Sequence, residues 1–378
     1  MRVLVNASNI KAGGGVQVSD SIIRQLNQYK THFFVVVLPP QLDYLLEVLN
    51  GYGNCCPILY SLPQSLFGIF IGKNNYLDEI VHKEKIDVVY TIFGPSLWRP
   101  KVKHLCGFAR PQLIYRDSPF FMKMSIFQRL KSAILERVKL YNFSITSDYL
   151  VTENTNVTEI LQTMLPKKGI YTVTNYYNQI FDDSDFWTMR ALPAFDGITL
   201  LTISANHPHK NLGIINEVLK YIYENSVPIN IRFVVTILPD EIIIDNRYKE
   251  NIIFLGKVNI TECPHLYSQS DIMFLPTLLE CFTASYAEAM RMEVPIITSD
   301  LSFARSLCGD SALYFDPLSP GSIVEAICAI AHSETIKHSL INAGKQQLKQ
   351  FDSHVQRCQK TIQILENIYT HETNNSRS

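Results

Sequence analysis

Short apolar runs recur along the chain, and between them apolar residues fall three or four positions apart. In the first half the runs are RVLVNAS (2–8), HFFVVVLP (32–39), CPILYSL (56–62), DVVYTIF (87–93), HLCGFA (104–109), YLVTE (149–153) and IYTVTN (170–175). Runs this short and this uniformly apolar suit strands buried on both faces, while the stretches between them suit helices. Their alternation predicts a parallel, doubly wound sheet. Between Tyr176 and Gly197 the pattern breaks. It restarts with ITLLTIS (198–204), NIRFVVT (230–236), NIIFLG (251–256), DIMFLP (271–276), VPIITS (294–299) and ALYFD (312–316). The expected fold class is therefore α/β, with two Rossmann-like doubly wound parallel-sheet domains facing each other across a cleft. The domains are expected at 1–178 and 198–355, with a linker at 179–197. A C-terminal helix and polar tail at 356–378 can pack back on the N-terminal domain. A length of 378 residues accommodates two such domains.

Residues 271–300 carry the densest candidate chemistry. Ile272–Leu275 reads as a buried strand, a loop with Pro276 and Glu280 follows, and helix-favouring residues run from about Ala284 to Met292. Pro295 then ends the helix before a second buried run. A loop between strand and helix lies at the carboxyl edge of a parallel sheet, where open α/β folds bind ligands. The N–H groups of Thr283, Ala284 and Ser285 would open the helix unpaired, which makes an anion site. An anion site flanked by Glu280 and Glu288 suits a ligand that is part phosphate and part polyol, such as a nucleotide-sugar. Lys210-Asn211 opens the helix after the first strand of this half, from where the lysine reaches a diphosphate on the facing helix end. Gly256 ends a strand where a base or ribose could rest on bare backbone.

In the first half, Gly13, Gly14 and Gly15 separate the first strand from the first helix, so the backbone can approach a ligand closely. The spacing is not GxGxxG, and the second strand ends in two prolines rather than an acid, which argues against a dinucleotide site. Asp183-Ser184-Asp185 could hold a divalent cation in another setting, but it follows no buried strand and reads as a solvated linker. His207 and His209 lack a third ligand in sequence, and no metal site is expected.

Composition narrows the classes. Lys and Arg number 34 against 35 Asp and Glu, so nothing marks a nucleic-acid footprint. Eight scattered cysteines without zinc spacing read as buried reduced thiols. The apolar stretch 58–71 is interrupted by Pro63, Gln64 and Gly68 and is too short to cross a bilayer. Met1 runs straight into a strand, so a chain without a signal peptide that stays in the cytoplasm is expected. Residues 122–141 form the clearest amphipathic helix. Ile126, Phe127, Leu130, Ile134, Leu135 and Val138 share one face, and Lys123, Arg129, Lys131, Arg137 and Lys139 lie mostly on the other. Two readings stay open: an ordinary packed helix with a solvated basic face, or a basic face meeting anionic lipid head groups.

Taken together, these residues resemble the retaining, nucleotide-sugar-dependent glycosyltransferases of the GT-B fold (family 4 type, glycosyl transferases group 1), in the branch that builds bacterial O-antigen and capsule. The resemblance runs from about 198 to 330. Its parts come in order: Lys210-Asn211, FLG (254–256), Pro276, the Glu280-to-Glu288 spacing continued as EAM, VPIITSD and ALYFDP (312–317). The opening VLVNASNIKAGGGVQV and the turn VTNYYN (173–178) are similar to the same group. The resemblance implies that Glu280 sits by the donor sugar hydroxyls and that Glu288 binds the ribose. The amides around Phe282, Thr283 and Ala284 would hold the diphosphate with Lys210, and the loop with Gly14 and Gly15 would close over the sugar and leaving group. It implies no cofactor and no metal, an N-terminal acceptor domain and a C-terminal nucleotide-sugar domain. The acceptor would be a polyprenyl-diphosphate-linked oligosaccharide met at the cytoplasmic face of the inner membrane, with peripheral contact through 122–141.

Three positions depart from the group. Ala205 stands where an arginine commonly helps the lysine. The usual first-domain histidine has only His104, Arg110 or Arg116 as candidates, and Thr283 replaces a glycine, where it would cap the helix. A binding or regulatory protein that kept the fold and lost activity, and a nucleotide-sugar epimerase, are the competing expectations.

Overall fold

The computed structural model describes residues 1–11, 13–63 and 66–375, with backbone only for 66, 67 and 372–375. Gln64 and the end of the expected polar tail, 376–378, lie outside the described residues. The chain divides into two compact units, one of residues 1–114, 125–175 and 352–378, the other of 115–124 and 176–351.

The first unit holds strands β1 (Arg2–Asn6), β2 (Phe33–Leu38), β3 (Cys55–Leu59), β4 (Val88–Thr91), β5 (Lys103–Phe108), β6 (Tyr149–Thr152) and β7 (Gly169–Thr172). They form one sheet in the order β3-β2-β1-β4-β5-β6-β7, and the paired strands are parallel. Successive side chains of a strand point to opposite faces, so each apolar run feeds two cores. Val3 and Val5 pack with Ile22 and Ile23 of the helix Gly14–Gln25 and with Cys358, Ile362, Leu365 and Ile368 of the helix His354–Asn375. Leu4, Val35 and Val37 pack on the other side with Leu77, Ile80 and Trp98. The start of the helix His354–Asn375 is tied down by Asp352, which accepts from the Thr174 N–H at 2.9 Å, and by buried Arg357, which donates to Asn175 and Ser21.

The second unit holds β8 (Ile198–Thr202), β9 (Ile231–Val235), β10 (Ile252–Phe254), β11 (Ile272–Leu275), β12 (Ile296–Ser299) and β13 (Ala312–Phe315), in the order β10-β9-β8-β11-β12-β13, again parallel. In both sheets the first strand is central and the winding reverses beside it, at β1/β4 and at β8/β11. That is the doubly wound order whose reversal point opens a crevice at the carboxyl ends of the strands.

Two boundaries differ from the sequence expectation. Residues 179–197 are not a free linker. Thr188 donates to the Thr261 carbonyl at 2.8 Å, Arg190 pairs with Glu262 at 2.8 Å, and the Leu192 N–H meets Gln269 at 2.8 Å. A segment without regular structure still pairs its backbone, here with a neighbouring helix and its approach. Residues 115–124 also count with the second unit although they lie inside the expected first domain.

The amphipathic stretch 122–141 resolves into a short turn, Pro119–Met122, and a helix, Ile126–Thr146. Ser125 caps the latter by accepting from the Gln128 N–H at 3.3 Å, and Gln128 answers by accepting from the Ser125 N–H at 2.9 Å. Its apolar face is not packed. Ile126 and Phe127 are 82% and 86% exposed, and Leu130, Ile134 and Leu135 are exposed as well. Among the described residues no helix is long and apolar enough to cross a membrane.

Candidate functional site

The second sheet positions the site through the loops after its central strands. After β8 the chain makes a short turn, Pro208–Lys210, and passes through Asn211 in a left-handed conformation (φ 58°). The Asn211 side chain holds this bend by donating to the Pro317 carbonyl beyond β13 at 2.9 Å. After β11 the loop returns against the same turn, with the Leu278 N–H donating to the His209 carbonyl at 2.7 Å. The Thr277 hydroxyl lies 3.2 Å from that carbonyl and 3.3 Å from Glu280 Oε1. These bonds bring Lys210 Nζ onto Glu280 Oε1 as an ion pair, with His209 Nε2 at 3.8 Å. Both charged side chains are mostly buried, so the pair is little screened. Burial, with the neighbouring Lys210 and His207 charges, pulls the His209 pKa down, while Glu280 opposes this.

The helix Ala284–Arg291 starts four residues beyond Glu280 with Thr283 at its N-cap. Thr283 makes no side-chain capping bond, contrary to the expectation that it would cap the helix, and the first turn carries no acid. The positive end of the helix dipole is therefore not offset by its own residues. Phe282 sets the entry angle by packing edge-on to Phe351 at 5.6 Å. Glu288 is buried inside the helix and accepts from the Tyr267 hydroxyl at 3.1 Å. Desolvation pushes its pKa up to about 7. Gly256, after β10, has φ 66°, where a side chain would be strained and its Cβ would stand 3.3 Å from Leu238. Glycine avoids that strain.

In the first unit, Gly13 has φ 67°, and Gly14 and Gly15 form the first residues of the helix Gly14–Gln25. A Cβ on Gly14 would meet nothing within 4 Å, so only Gly13 is demanded by backbone conformation. His104 does not reach a site. It is fully buried between Thr91 and the Thr146 carbonyl, with its pKa pushed down to about 4 by burial. Arg110 is committed to buried Glu136 at 2.5 Å, and Lys139 meets the same carboxylate at 2.5 Å. Arg116 is exposed on the segment 115–124.

That segment is what pattern reading missed. Ser118 donates to the Leu278 carbonyl at 2.6 Å, Phe120 stands edge-on to His209 at 6.3 Å, and Lys123 donates to the Asn211 side chain. Lys123 is thus held by the turn carrying Lys210. The available signal was a Ser-Pro pair followed by two phenylalanines outside any strand or helix period.

Asp183 caps its own short turn by accepting from the Asp185 N–H at 3.1 Å, and His207 and His209 stack on each other at 5.6 Å. Among the described residues no group of three His, Cys, Asp or Glu side chains could hold a metal ion. Among the described residues no disulfide joins any of the eight cysteines.

Comparison with known proteins adds five findings. Sucrose-phosphate synthase from Thermosynechococcus elongatus superposes with a TM-score of 0.67 at 12% identity, covering 98% of this chain and 99% of that one. A glycosyltransferase from Rickettsia africae gives 0.66 at 15%, covering 97% and 98%. Anabaena HepE, solved in complex with UDP-glucose, gives 0.65 at 12%, covering 97% and 99%. At these identities the likeness is one of fold, two parallel-sheet Rossmann-like domains of the GT-B kind. The O-antigen chain mannosyltransferase RfbU of Salmonella typhimurium is 28% identical over 119 residues, which is 31% of this chain. The match spans about a third of that relative's length, 34%. Residues 196–347, which contain Lys210, Gly256, Glu280 and Glu288, match the family Glycosyl transferases group 1.

Proposed function

We propose that the protein is a retaining glycosyltransferase of the family 4 type that moves a sugar from a nucleotide-sugar to a lipid-linked oligosaccharide during bacterial surface-polysaccharide assembly. The observation that carries this is the Lys210–Glu280 pair beside the uncapped start of the helix Ala284–Arg291. As the bond between sugar and phosphate breaks, negative charge grows on the departing diphosphate. The helix N-terminus and Lys210 are the groups that answer it, without reorganisation at that moment. Glu280 accepts from donor sugar hydroxyls and keeps Lys210 oriented. Glu288 takes the ribose, and the backbone at Gly256 faces the base. Retention follows the resemblance to the group. The partial similarity to an O-antigen chain mannosyltransferase supports the surface-polysaccharide branch. A bilayer-confined acceptor puts the protein at the cytoplasmic membrane face.

A second reading, a binding protein without turnover, has its own observation. Lys210 is neutralised by Glu280, and exposed Ala205 adds no charge where the group commonly has arginine. A panel of UDP-, GDP- and dTDP-sugars separates the two, read both by melting temperature and by sugar release. The enzyme reading expects one donor to raise the melting temperature and to be turned over, with turnover lost in Glu280→Ala. Stabilisation without turnover establishes the binding protein. An altered sugar formed without acceptor establishes an epimerase. No response to any donor overturns the proposal.

A further inference from the structure

A cavity of about 380 Å³ lies within the first unit, a volume in the range of small-molecule sites. Lys103 opens β5, Asp148 directly precedes β6 and Lys168 directly precedes β7. These strands are parallel neighbours, so all three residues stand at the amino edge of the sheet, away from the crevice at its carboxyl ends. The end of the helix Ile126–Thr146 and the segment 99–102 complete the walls. Backbone bonds hold these walls in place. The Arg99 N–H donates to the Gly72 carbonyl at 2.7 Å. Gly72 has φ 69°, and a Cβ there would stand 2.9 Å from Thr146 and 3.1 Å from Arg99, so glycine lets the segment lie against the helix end. The Asp148 N–H donates to the His104 carbonyl and its carboxylate accepts from the His104 N–H, both at 3.0 Å. Two carbonyls at the helix end that would repel an anion are already paired. The Thr146 carbonyl meets His104 Nδ1 at 2.6 Å, and the Ser147 carbonyl accepts from the Lys168 side chain.

We infer that this cavity binds a small soluble molecule bearing a diphosphate or two phosphate groups. Charge selects this ligand. Arg99, Lys101, Lys103 and Lys168 line the cavity against one acid, Asp148. Burial pulls the Lys168 pKa down, Asp148 opposes this, and the Arg99 charge adds to it. Like charges gathered in one concavity raise one another's energy, and a multivalent anion among them relieves that repulsion. The Arg99 guanidinium offers a planar fork for two phosphate oxygens, while the three ammonium groups act as point charges around it. A concave wall sets the cations around a small ligand rather than along one flat face. The cavity belongs to the first unit and Lys210 and Glu280 to the second, so this site goes beyond the transferase reading and does not depend on it.

The test is calorimetric titration of the full chain with inorganic pyrophosphate at low salt, where screening is weak. Lys210→Ala is titrated alongside, so that binding at the donor site of the second unit is recognised. One binding event is expected to survive Lys210→Ala. It should weaken at least about tenfold in the double variant Arg99→Gln, Lys101→Gln, which loses two charged hydrogen-bond donors. Both side chains are exposed, so the melting temperature of the double variant without pyrophosphate should match the wild type. Arg99→Lys keeps the charge but loses the fork, and should also bind more weakly than the wild type. Binding that vanishes in Lys210→Ala overturns the inference, as does wild-type affinity in the double variant. Wild-type affinity in Arg99→Lys overturns it too, since a diffuse positive field would then suffice. If phosphatidylglycerol vesicles bind through Arg99 and Lys101 while pyrophosphate does not, the ligand is a head group and the soluble-ligand inference is likewise overturned.

Discussion

Glu288→Gln isolates the energetic consequence of placing a carboxyl inside the helix Ala284–Arg291. The buried carboxyl titrates at about 7 against an ordinary 4.5, mainly because burial disfavours its charge. The folded state therefore holds the proton more tightly than the unfolded chain, and stability falls as pH rises between those two values, then levels off. At about 1.4 kcal/mol per tenfold change in proton affinity, the loss is about 3 kcal/mol by pH 8. Glutamine keeps the shape and still accepts from the Tyr267 hydroxyl, but has no proton to lose. The variant should match the wild type near pH 4.5 and melt higher by on the order of 5 °C at pH 8. The comparison must be made between the two proteins. Glu153 in the first unit is also pushed up to about 7 by burial and gives the wild type a similar slope elsewhere. Melting curves of both proteins that stay parallel from pH 4.5 to 8 would refute the reasoning, since the carboxyl would then be solvated. If Glu288 also binds ribose, the stabilised variant should bind the donor more weakly, so stability and affinity move in opposite directions.

Lys210→Ala should lower donor turnover by about 100- to 1,000-fold, the usual cost of losing a group that meets transition-state charge. Lys210→Arg should restore part of it, and unchanged rates in the alanine variant would remove the residue from the site. Transfer should continue in EDTA, because the Asp183 carboxylate is already used as a cap. A collapse reversed by Mn²⁺ would return Asp183 and Asp185 to the chemistry. Leu365→Ala, which empties a fully buried position between the C-terminal helix and the first sheet, should cost about 2–5 kcal/mol. Calorimetry in the presence of nucleotide should show that loss in the first unit's transition alone. A shift of both transitions would mean that the units unfold together.

That the strands are buried and the sheets parallel was legible in the sequence, while the order of the strands came from the structure. Strands such as Val3–Val5 and Ile272–Leu275 are apolar at every position because both faces of their sheets are covered, and that composition is visible without coordinates. The positions of Glu280, Glu288 and Lys210 relative to strand ends were equally legible, since the break from strand to loop to helix is a local property. What the sequence could not supply is which charges meet. That Glu280 closes on Lys210, and that Arg110 serves Glu136, depends on side chains distant in the chain. The segment 115–124 is the sharpest case, because a stretch without period joins the second unit through side chains such as Tyr115, Ser118, Phe120 and Lys123. The helix Ile126–Thr146 shows the same limit from the other side. Periodicity identified its two faces, but the face that turns inward carries Glu136, held by two cations, with Asn142, Phe143 and Thr146, and the apolar side chains of the first half are left outward.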